Sequence, residues 1–554
     1  NELALPNKEK SWRFKWNHST ENNRTSSLAA EVDLQSASFK EKNTLPGDEG
    51  LQASVNSSVR YTNKLVGFPY SLSTSLRYAQ NFQAREANAT AILPSISLRT
   101  ENFYPFRRKG SSGGGWYSDI HVQHTVDFEN RLSNKVGNET LDFSPDNWPV
   151  LFKNSKYGVK HTVPLKTNIK IFNYFNLMPS VQYQERWYWE KINYQYNAAT
   201  NKVDEEKKPG FERVWDYSGG ASLNATLYGT HFFGRNAAVQ AIRHQIEPVV
   251  SFTYTPDFSG PKFDYHQTLE DGKKYNRFKE GIYGAPADRA TAVMGLALNN
   301  RLDMKVKNRV DVEERTKKVP ILEGFDWSTS YDFLAEEFKL ADIQMKARTR
   351  LFDGLFDINL NTTFDPYTYK KDEQGELKRV SELAWNQGKG IGRVSQASLS
   401  VGTKLSIGEK ESTPEEIEDF ESYPGAQEEL KHIQEHPEQY VDFNVPLTLR
   451  LSYEWHYSSP KPGDSSSNKA FTFNGDISLT EKWKIIYASS YDITKSEFVG
   501  SATRFGIYRD LHCWEMSFDW RPLGPRQYYN FSIGVKSPLL QHLKYTRSKD
   551  YPKL

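Results

Sequence analysis

Alternation of apolar and polar side chains, sustained over unusually long segments, constrains this chain more than any other feature. Between residues 447 and 457, Leu447, Leu449, Leu451, Tyr453, Trp455 and Tyr457 share one parity, and Thr448, Arg450, Ser452, Glu454 and His456 share the other. Successive side chains of an extended strand point to opposite faces, so such a segment has one oily and one hydrophilic side. The pattern recurs at 245–255, where Ile246, Pro248, Val250, Phe252 and Tyr254 oppose Gln245, Glu247, Val249, Ser251 and Thr253. It recurs at 528–536, where Tyr529, Phe531, Ile533 and Val535 oppose Tyr528, Asn530, Ser532 and Lys536. Segments near 28–39, 72–80, 119–129, 221–228, 396–405, 471–479 and 514–520 read the same way. They run about 9–12 residues, the length that crosses a bilayer when tilted, whereas globular strands peak near about 5–6. The expected fold is therefore all-β: a large antiparallel transmembrane β-barrel of more than about 20 strands.

Composition alone points elsewhere. Apolar residues are 37% of the 554, against about 45–50% in ordinary domains, and the mean hydropathy is −0.72. Yet 31 Tyr, 32 Phe and 13 Trp make 14% aromatics, which disordered chains lack. A barrel reconciles the two, because only alternate residues face lipid and long loops add polarity. Trp187, Trp189, Tyr367, Tyr369, Trp455, Tyr457 and Trp520 stand at segment ends, where girdles place a ring in the acyl region and its polar atom near water. A soluble β-sandwich or β-helix array is the competing reading, and such folds rarely sustain strands of this length. No apolar run approaches the about 18 residues of a membrane helix.

Several function classes lose support. The net charge of +2, from 71 basic and 69 acidic residues, gives no footing for a nucleic-acid binder. Cys513 is the single cysteine, so neither an intrachain disulfide nor a cysteine-rich metal site can form. His121 and His124 have metal-like spacing, but residues three apart on a strand face opposite ways. The turn at Gly113, Gly114 and Gly115 lacks any phosphate-loop pattern, and no GxSxG elbow occurs. A lipid-facing Ser–His pair of a barrel phospholipase is the one enzymatic arrangement left to weigh. Asn88-Ala-Thr90 and Asn224-Ala-Thr226 fit a glycosylation triplet by chance in a chain rich in these residues. No catalytic residue, metal ligand or cofactor is expected, and the chain is read as a non-enzyme.

The barrel is expected over residues 1–537, with a tail at 538–554. Long polar loops near 130–155, 191–210, 256–288 and 369–392 are expected outside the cell, with short turns and an acidic loop, 408–440, in the periplasm. That acidic stretch is a solvated, partly helical loop or, more sharply, a partner-docking segment. About 21 strand candidates is an odd number, and bacterial barrels close with even numbers. Together with a start at Asn1 rather than Met, this predicts a processed or truncated beginning that lacks the first strands. The polar positions expected to face a watery lumen are Gln245, Glu247, Arg450, Glu454 and Asn224.

Several stretches resemble the lipopolysaccharide-assembly outer-membrane protein family, LptD. They are Arg243-His-Gln-Ile-Glu-Pro248 leading to Tyr254-Thr-Pro256, Leu298-Asn-Asn-Arg-Leu-Asp-Met-Lys305, Thr363-Phe-Asp-Pro-Tyr367, Tyr508 to Phe518 around Trp514, Arg526 to Phe531, and Lys536 to Gln541. The motif positions are Arg243, Pro248, Asn299, Asn300, Asp365, Pro366 and Trp514, and the resemblance spans roughly residues 11 to 545, within the barrel portion. One cysteine places the chain near a divergent, cysteine-poor branch, without the paired cysteines that tie barrel to periplasmic jellyroll, and that jellyroll is not expected here. The resemblance implies a translocon in the Gram-negative outer membrane, which passes lipopolysaccharide sugars through the lumen and opens a lateral gate between first and last strands. It implies an LptE-like plug lipoprotein in the lumen and a periplasmic bridge that delivers substrate. The last strand, with Tyr528, Asn530, Ser532, Gly534 and Lys536, is expected to form one lip, weakened by Gly534 and Pro538. A TonB-dependent or other large porin-like transporter is the alternative, and it would need a plug domain.

Overall fold

The computed structural model describes residues 12–20, 25–35, 54–81, 88–108, 115–137, 139–197, 200, 202–234, 237–270, 272–307, 316–352, 354–407, 447–480, 482–524, 526–536 and 543–552. Strand dominates it, and no described helix is long and apolar enough to cross a membrane. One antiparallel sheet of 27 segments contains nearly all the strands. Five segments continue another along the same partner, which leaves 22 rungs in simple up-and-down order.

The rungs are β1 (Arg13–Ser19), β2 (Ser26–Gln35), β3 (Ser54–Lys64), β4 (Tyr70–Asn81), β5 (Asn88–Thr100) and β6 (His121–Val122 with Thr125–Ser133). Next come β7 (Lys156–Lys166 with Ile169–Ile171), β8 (Phe175–Asn197), β9 (Lys202–Ala225 with Leu227–Phe232), β10 (Val239–Thr255), β11 (Thr291–Lys307) and β12 (Thr316–Leu322 with Gly324–Asp332). The series ends with β13 (Ile343–Leu351), β14 (Phe356–Asp365), β15 (Arg393–Ile407), β16 (Leu447–Lys461), β17 (Asp464–Thr480), β18 (Trp483–Asp492), β19 (Glu497–Phe498 with Arg504–Leu511), β20 (Trp514–Arg521), β21 (Arg526–Val535) and β22 (Lys544–Pro552). The expected count of about 21 is exceeded by one. Residues 544–552, expected as tail, pair with β21 along nine positions from Gly534↔Lys544 to Arg526↔Pro552. Tyr528–Lys536 is therefore an inner rung, held by β20 on one side and β22 on the other.

Directly opposed residues of an antiparallel pair share a face, so register shows how far each face continues. Across β14 to β18 one row reads Ile358, Val401, Tyr453, Phe471 and Tyr491. The adjacent row reads Asp357, Gly402, Ser452, Thr472 and Ser490. Near the other end, Leu72, Leu98 and Val126 continue the apolar face. That face is turned outward: Val250, Phe252, Tyr254, Leu296 and Leu298 are each 40–44% exposed. Burying such side chains would favour the fold in water. Leaving a continuous sheet of them uncovered is the arrangement of a wall solvated by lipid.

The two ends of the wall differ. At one end the links are mostly tight. At 171–174, Phe172 and Asn173 both adopt left-handed backbone, with φ of 49° and 61°, and the Tyr174 N–H donates to the Ile171 carbonyl at 3.2 Å. Two successive left-handed residues make the turn whose twist matches a hairpin. The Phe172 ring is 81% exposed, as befits an aromatic at a membrane surface. Links 101–120 and 408–446 share this end; the acidic loop expected at 408–440 lies outside the described residues.

The opposite end carries 134–155, 256–290, 333–342 and 366–392. The segment 191–210 is different from its expectation. It is a hairpin: β8 and β9 run 23 and 24 residues, about twice a membrane crossing. Its polar residues misled because alternation there no longer reports lipid against lumen, both faces being outside the bilayer.

Candidate functional site: the polar face of the wall

The polar face is built from carboxylates fixed between cations, because a charge placed on a half-covered surface needs a partner to offset lost hydration. Near the tight-turn end of β10 to β12, Asp303 is 3% exposed. It accepts from Arg243 and Arg301, both at 3.2 Å, with the Lys318 ammonium also at 3.2 Å. Arg243 stands directly opposite Asp303 in the ladder. Farther up the same rungs, the Asn224 amide donates to Glu247 at 2.9 Å, Glu247 faces Asn299, and Gln245 faces Arg301.

Similar pairs punctuate the rest of the face. Arg13 grips Asp33 through Nε at 2.8 Å and Nη2 at 2.6 Å. Arg186 donates to Asp216 at 2.5 Å. Asp519 accepts from Arg504 at 2.7 Å and from the Tyr508 hydroxyl at 3.0 Å. Between them lie Ser, Thr, Asn and Gln, so the face offers donors and acceptors at every level and suits a hydrated, many-hydroxyl solute.

The structure sorts the sequence candidates into two groups. Gln245, Glu247 and Asn224 cluster on β9 and β10. Arg450 and Glu454 lie on the polar face of β16, opposite Lys404 and Ser400, six rungs from the nearest of the others. Tyr528, Asn530, Ser532 and Gly534 all share that face through β20 and β22, and the Lys536 ammonium reaches Asp510 at 2.7 Å. The Arg186–Asp216 and Arg504–Asp519 pairs were not singled out, although each charge falls on the polar parity of its segment.

Several motif positions make packing and hydrogen-bond contacts. Pro248 and Trp514 stand on the apolar face, opposite Leu298 and Val535, and Trp514 is 43% exposed. Asn300 donates to the Phe325 carbonyl at 2.8 Å. Asp365, 3% exposed, ends β14 by accepting from Arg379 at 2.6 and 3.0 Å, from Tyr369 at 2.9 Å and from the Tyr367 N–H at 3.1 Å. Pro366 beside it is fully buried. Gly392 passes so close that a Cβ there would sit 2.3 Å from the Asp365 carbonyl oxygen.

Loop 256–290 closes over the emergent hairpin. Tyr188 and Val214 from the hairpin pack with Phe258, Tyr265 and Phe278 from the loop. The loop also satisfies the hairpin's free edges: the Tyr265 hydroxyl accepts from the Trp215 N–H at 2.9 Å, and Ile192 donates to the Arg277 carbonyl at 2.9 Å. At the loop's root, the Ser259 backbone N–H holds the Asp257 carboxyl below its usual range. His121 and His124 turn to different partners, the Tyr104 ring and the His161 ring. Among the described residues no cluster of His, Cys, Asp and Glu has metal-holding geometry.

A family model described as LptD protein matches residues 2–367, two-thirds of a chain whose described residues form one continuous two-faced wall. The chain belongs to the LptD protein family. Of the motifs quoted for that resemblance, those from Tyr508 to Gln541 lie beyond the matched stretch. No curated protein matches. Among solved structures, a mutant ferric enterobactin receptor from Pseudomonas aeruginosa is 8% identical, with a TM-score of 0.32, over 94% of this chain and 72% of that one. The ferric preacinetobactin receptor BauA from Acinetobacter baumannii is 9% identical, with a TM-score of 0.28, over 89% and 73%. The Escherichia coli outer-membrane transporter YddB is 8% identical, with a TM-score of 0.32, over 90% and 71%. This LptD-family chain is a large outer-membrane β-barrel.

Proposed function

We propose that this barrel inserts lipopolysaccharide into the outer leaflet of a Gram-negative outer membrane, as a translocon subunit and not as an enzyme. The observation that carries the reading is the two-faced wall of an LptD-family chain. Its polar face, with Gln245, Glu247, Asn224, Arg450 and Glu454, lines a lumen able to solvate a glycan, while acyl chains stay with the apolar outside. A lumen enclosed by more than about 20 strands is wide enough to hold a plug, which suits an LptE-like lipoprotein, and a periplasmic bridge would deliver substrate. Lateral release would part the wall at a seam. Opening costs least where few ladders must break, because each strand-edge amide left unpaired in hydrocarbon is expensive. Because β22 pairs along Tyr528–Lys536, the proposed lip moves one rung on, to β22. The family match also favours this reading over a TonB-dependent nutrient transporter.

The test is depletion of the protein in its host, followed by pulse labelling of lipopolysaccharide. Newly made lipopolysaccharide should fail to become accessible at the cell surface. Normal surface display during depletion would sink the reading and leave the barrel untouched.

A further inference from the structure

On the polar face of β10 to β13, cations gather near the tight-turn mouth. Arg243, Arg301 and Lys318 surround the Asp303 carboxylate. Beside them Arg350 donates to Glu323 at 2.7 Å, and the Arg348 guanidinium lies 3.7 Å from the same carboxylate. The Thr349 hydroxyl donates to the Ile321 carbonyl at 2.6 Å, which holds β13 against the lower half of β12 and brings the two clusters side by side. The five cationic side chains are 43–63% exposed, whereas Asp303 and Glu323 are recessed at 4% and 13%. Lys305, also exposed, stands directly opposite Lys318 in the ladder. Against these six cations stand Asp303, Glu323 and Asp357, the last opposite Arg350, which leaves an excess of three positive charges.

Depth separates this patch from other charges on the same face. In the Arg186–Asp216 and Lys484–Asp476 pairs the cation is at least as recessed as its carboxylate, so the pair offers the lumen little net charge. Arg60 on β3 and Arg77 on β4 are exposed, but each meets a serine across the ladder, Ser75 and Ser58. On β10 to β13 the carboxylates lie beneath and the cations stand over them. Asp303 takes one N–H from Arg243 and one from Arg301, which orients each guanidinium and leaves most of its five donors for another acceptor. Like charges directly across a ladder destabilise a sheet, and an anion held between Lys305 and Lys318 would offset that cost. Rungs stand about 4.8 Å apart, so the patch is about 14 Å wide from β10 to β13. That width accommodates a short sugar carrying more than one phosphate.

We infer that Arg243, Arg301, Lys305, Lys318, Arg348 and Arg350 form an anion station at the tight-turn mouth of the lumen, which holds the phosphates of a phosphorylated saccharide as it enters. The inference rests on the lipopolysaccharide reading and deepens it, by naming the groups through which the sugar is first held. Phosphate is the fitting anion because guanidinium binds it with two parallel hydrogen bonds and ammonium adds a point charge. A sugar fits better than an acidic peptide because Asn359, opposite Arg348, and Asn361 border the patch, and their amides match hydroxyls.

The test uses the full chain in detergent micelles at low ionic strength, with binding read by calorimetry. The probes are a bisphosphorylated glucosamine disaccharide, the same disaccharide without phosphate, inorganic phosphate and a glutamate-rich peptide. The parent should bind the bisphosphorylated sugar about tenfold more tightly than the unphosphorylated one, the effect of one charge-assisted contact. The double substitution Lys305→Gln with Arg348→Gln should erase that preference, and Lys305→Arg with Arg348→Lys should keep it. The glutamine variant leaves Asp303 and Glu323 their closest cations, and heat-modifiable gel migration reports its folding; the comparison of probes on the parent needs no variant. Arg60→Gln with Arg77→Gln should leave the preference intact. Equal binding of the two sugars by the parent, an unchanged preference in the folded glutamine variant, or an equal loss in the Arg60 and Arg77 variant would each overturn the station. Tighter binding of inorganic phosphate or of the peptide than of the bisphosphorylated sugar would overturn its assignment to a saccharide. Normal surface display on depletion, with the sugar preference intact, would instead remove the lipopolysaccharide reading and leave the anion station standing.

Discussion

The emergent hairpin β8–β9 and the terminal pair β21–β22 share one two-residue rhythm and end in opposite states. Among the described residues, both are antiparallel pairs with an edge that no ladder covers along part of its length. On the hairpin, loop 256–290 supplies the missing partners: the Tyr265 hydroxyl meets the Trp215 backbone, and Phe258 and Phe278 are each no more than 3% exposed. On β22 the described residues Lys544 to Lys549 are all exposed. A rigid edge needs aromatic cover and satisfied amides, whereas a rung proposed to part from a neighbour is better left without either. Among the described residues, the wall is thus covered where loop 256–290 folds over it and exposed along Lys544 to Lys549.

The largest effect is expected at the rigid end. Asp365→Ala leaves the Tyr367 N–H without its carboxylate and Arg379 with Asp342 alone, and should cost about 3 kcal/mol, the low end of the scale for removing one member of a buried pair. Urea titration in detergent, followed by heat-modifiable migration, would show it as an earlier midpoint. Phe258→Ala should cost about 3 kcal/mol through the cavity it leaves and should admit limited proteolysis within 256–290; intact loops in that variant would mean the cluster does not hold them. Tyr265→Phe keeps the ring and strands the Trp215 N–H, a loss of about 2 kcal/mol, visible as faster amide exchange along the upper edge of β9. Ser548→Ala on β22 should change stability by less than about 0.5 kcal/mol. If that substitution proves as costly as Phe258→Ala, the contrast between the two regions is wrong.

Legibility followed the physics of each region. Inside the membrane zone, parity alone placed Gln245, Glu247, Asn224, Arg450 and Glu454 on one face, because lipid and water stand on opposite sides of every rung. Above it, the polar run 191–210 read as loop, since with water around both faces nothing forces an oily parity there. Residues 544–552 read as tail for a related reason: Arg547 and Lys549 occupy the parity that elsewhere holds Phe531 and Tyr529, so the strand breaks the rule used to find strands. Asp303 and Asp365 lay in motifs that were noticed, but their partners come from other rungs and loops.

What this chain's sequence determines by itself is the alternation, and through it the existence of a wall with one oily and one wet side. The pleat of an extended backbone enforces that locally, residue by residue. What only the tertiary structure decides is which rungs meet and at what register: that Tyr265 reaches Trp215 across 50 residues, and that Arg547 falls in line with Phe531. Such contacts depend on the joint fit of segments distant in the chain, and no local periodicity carries that information.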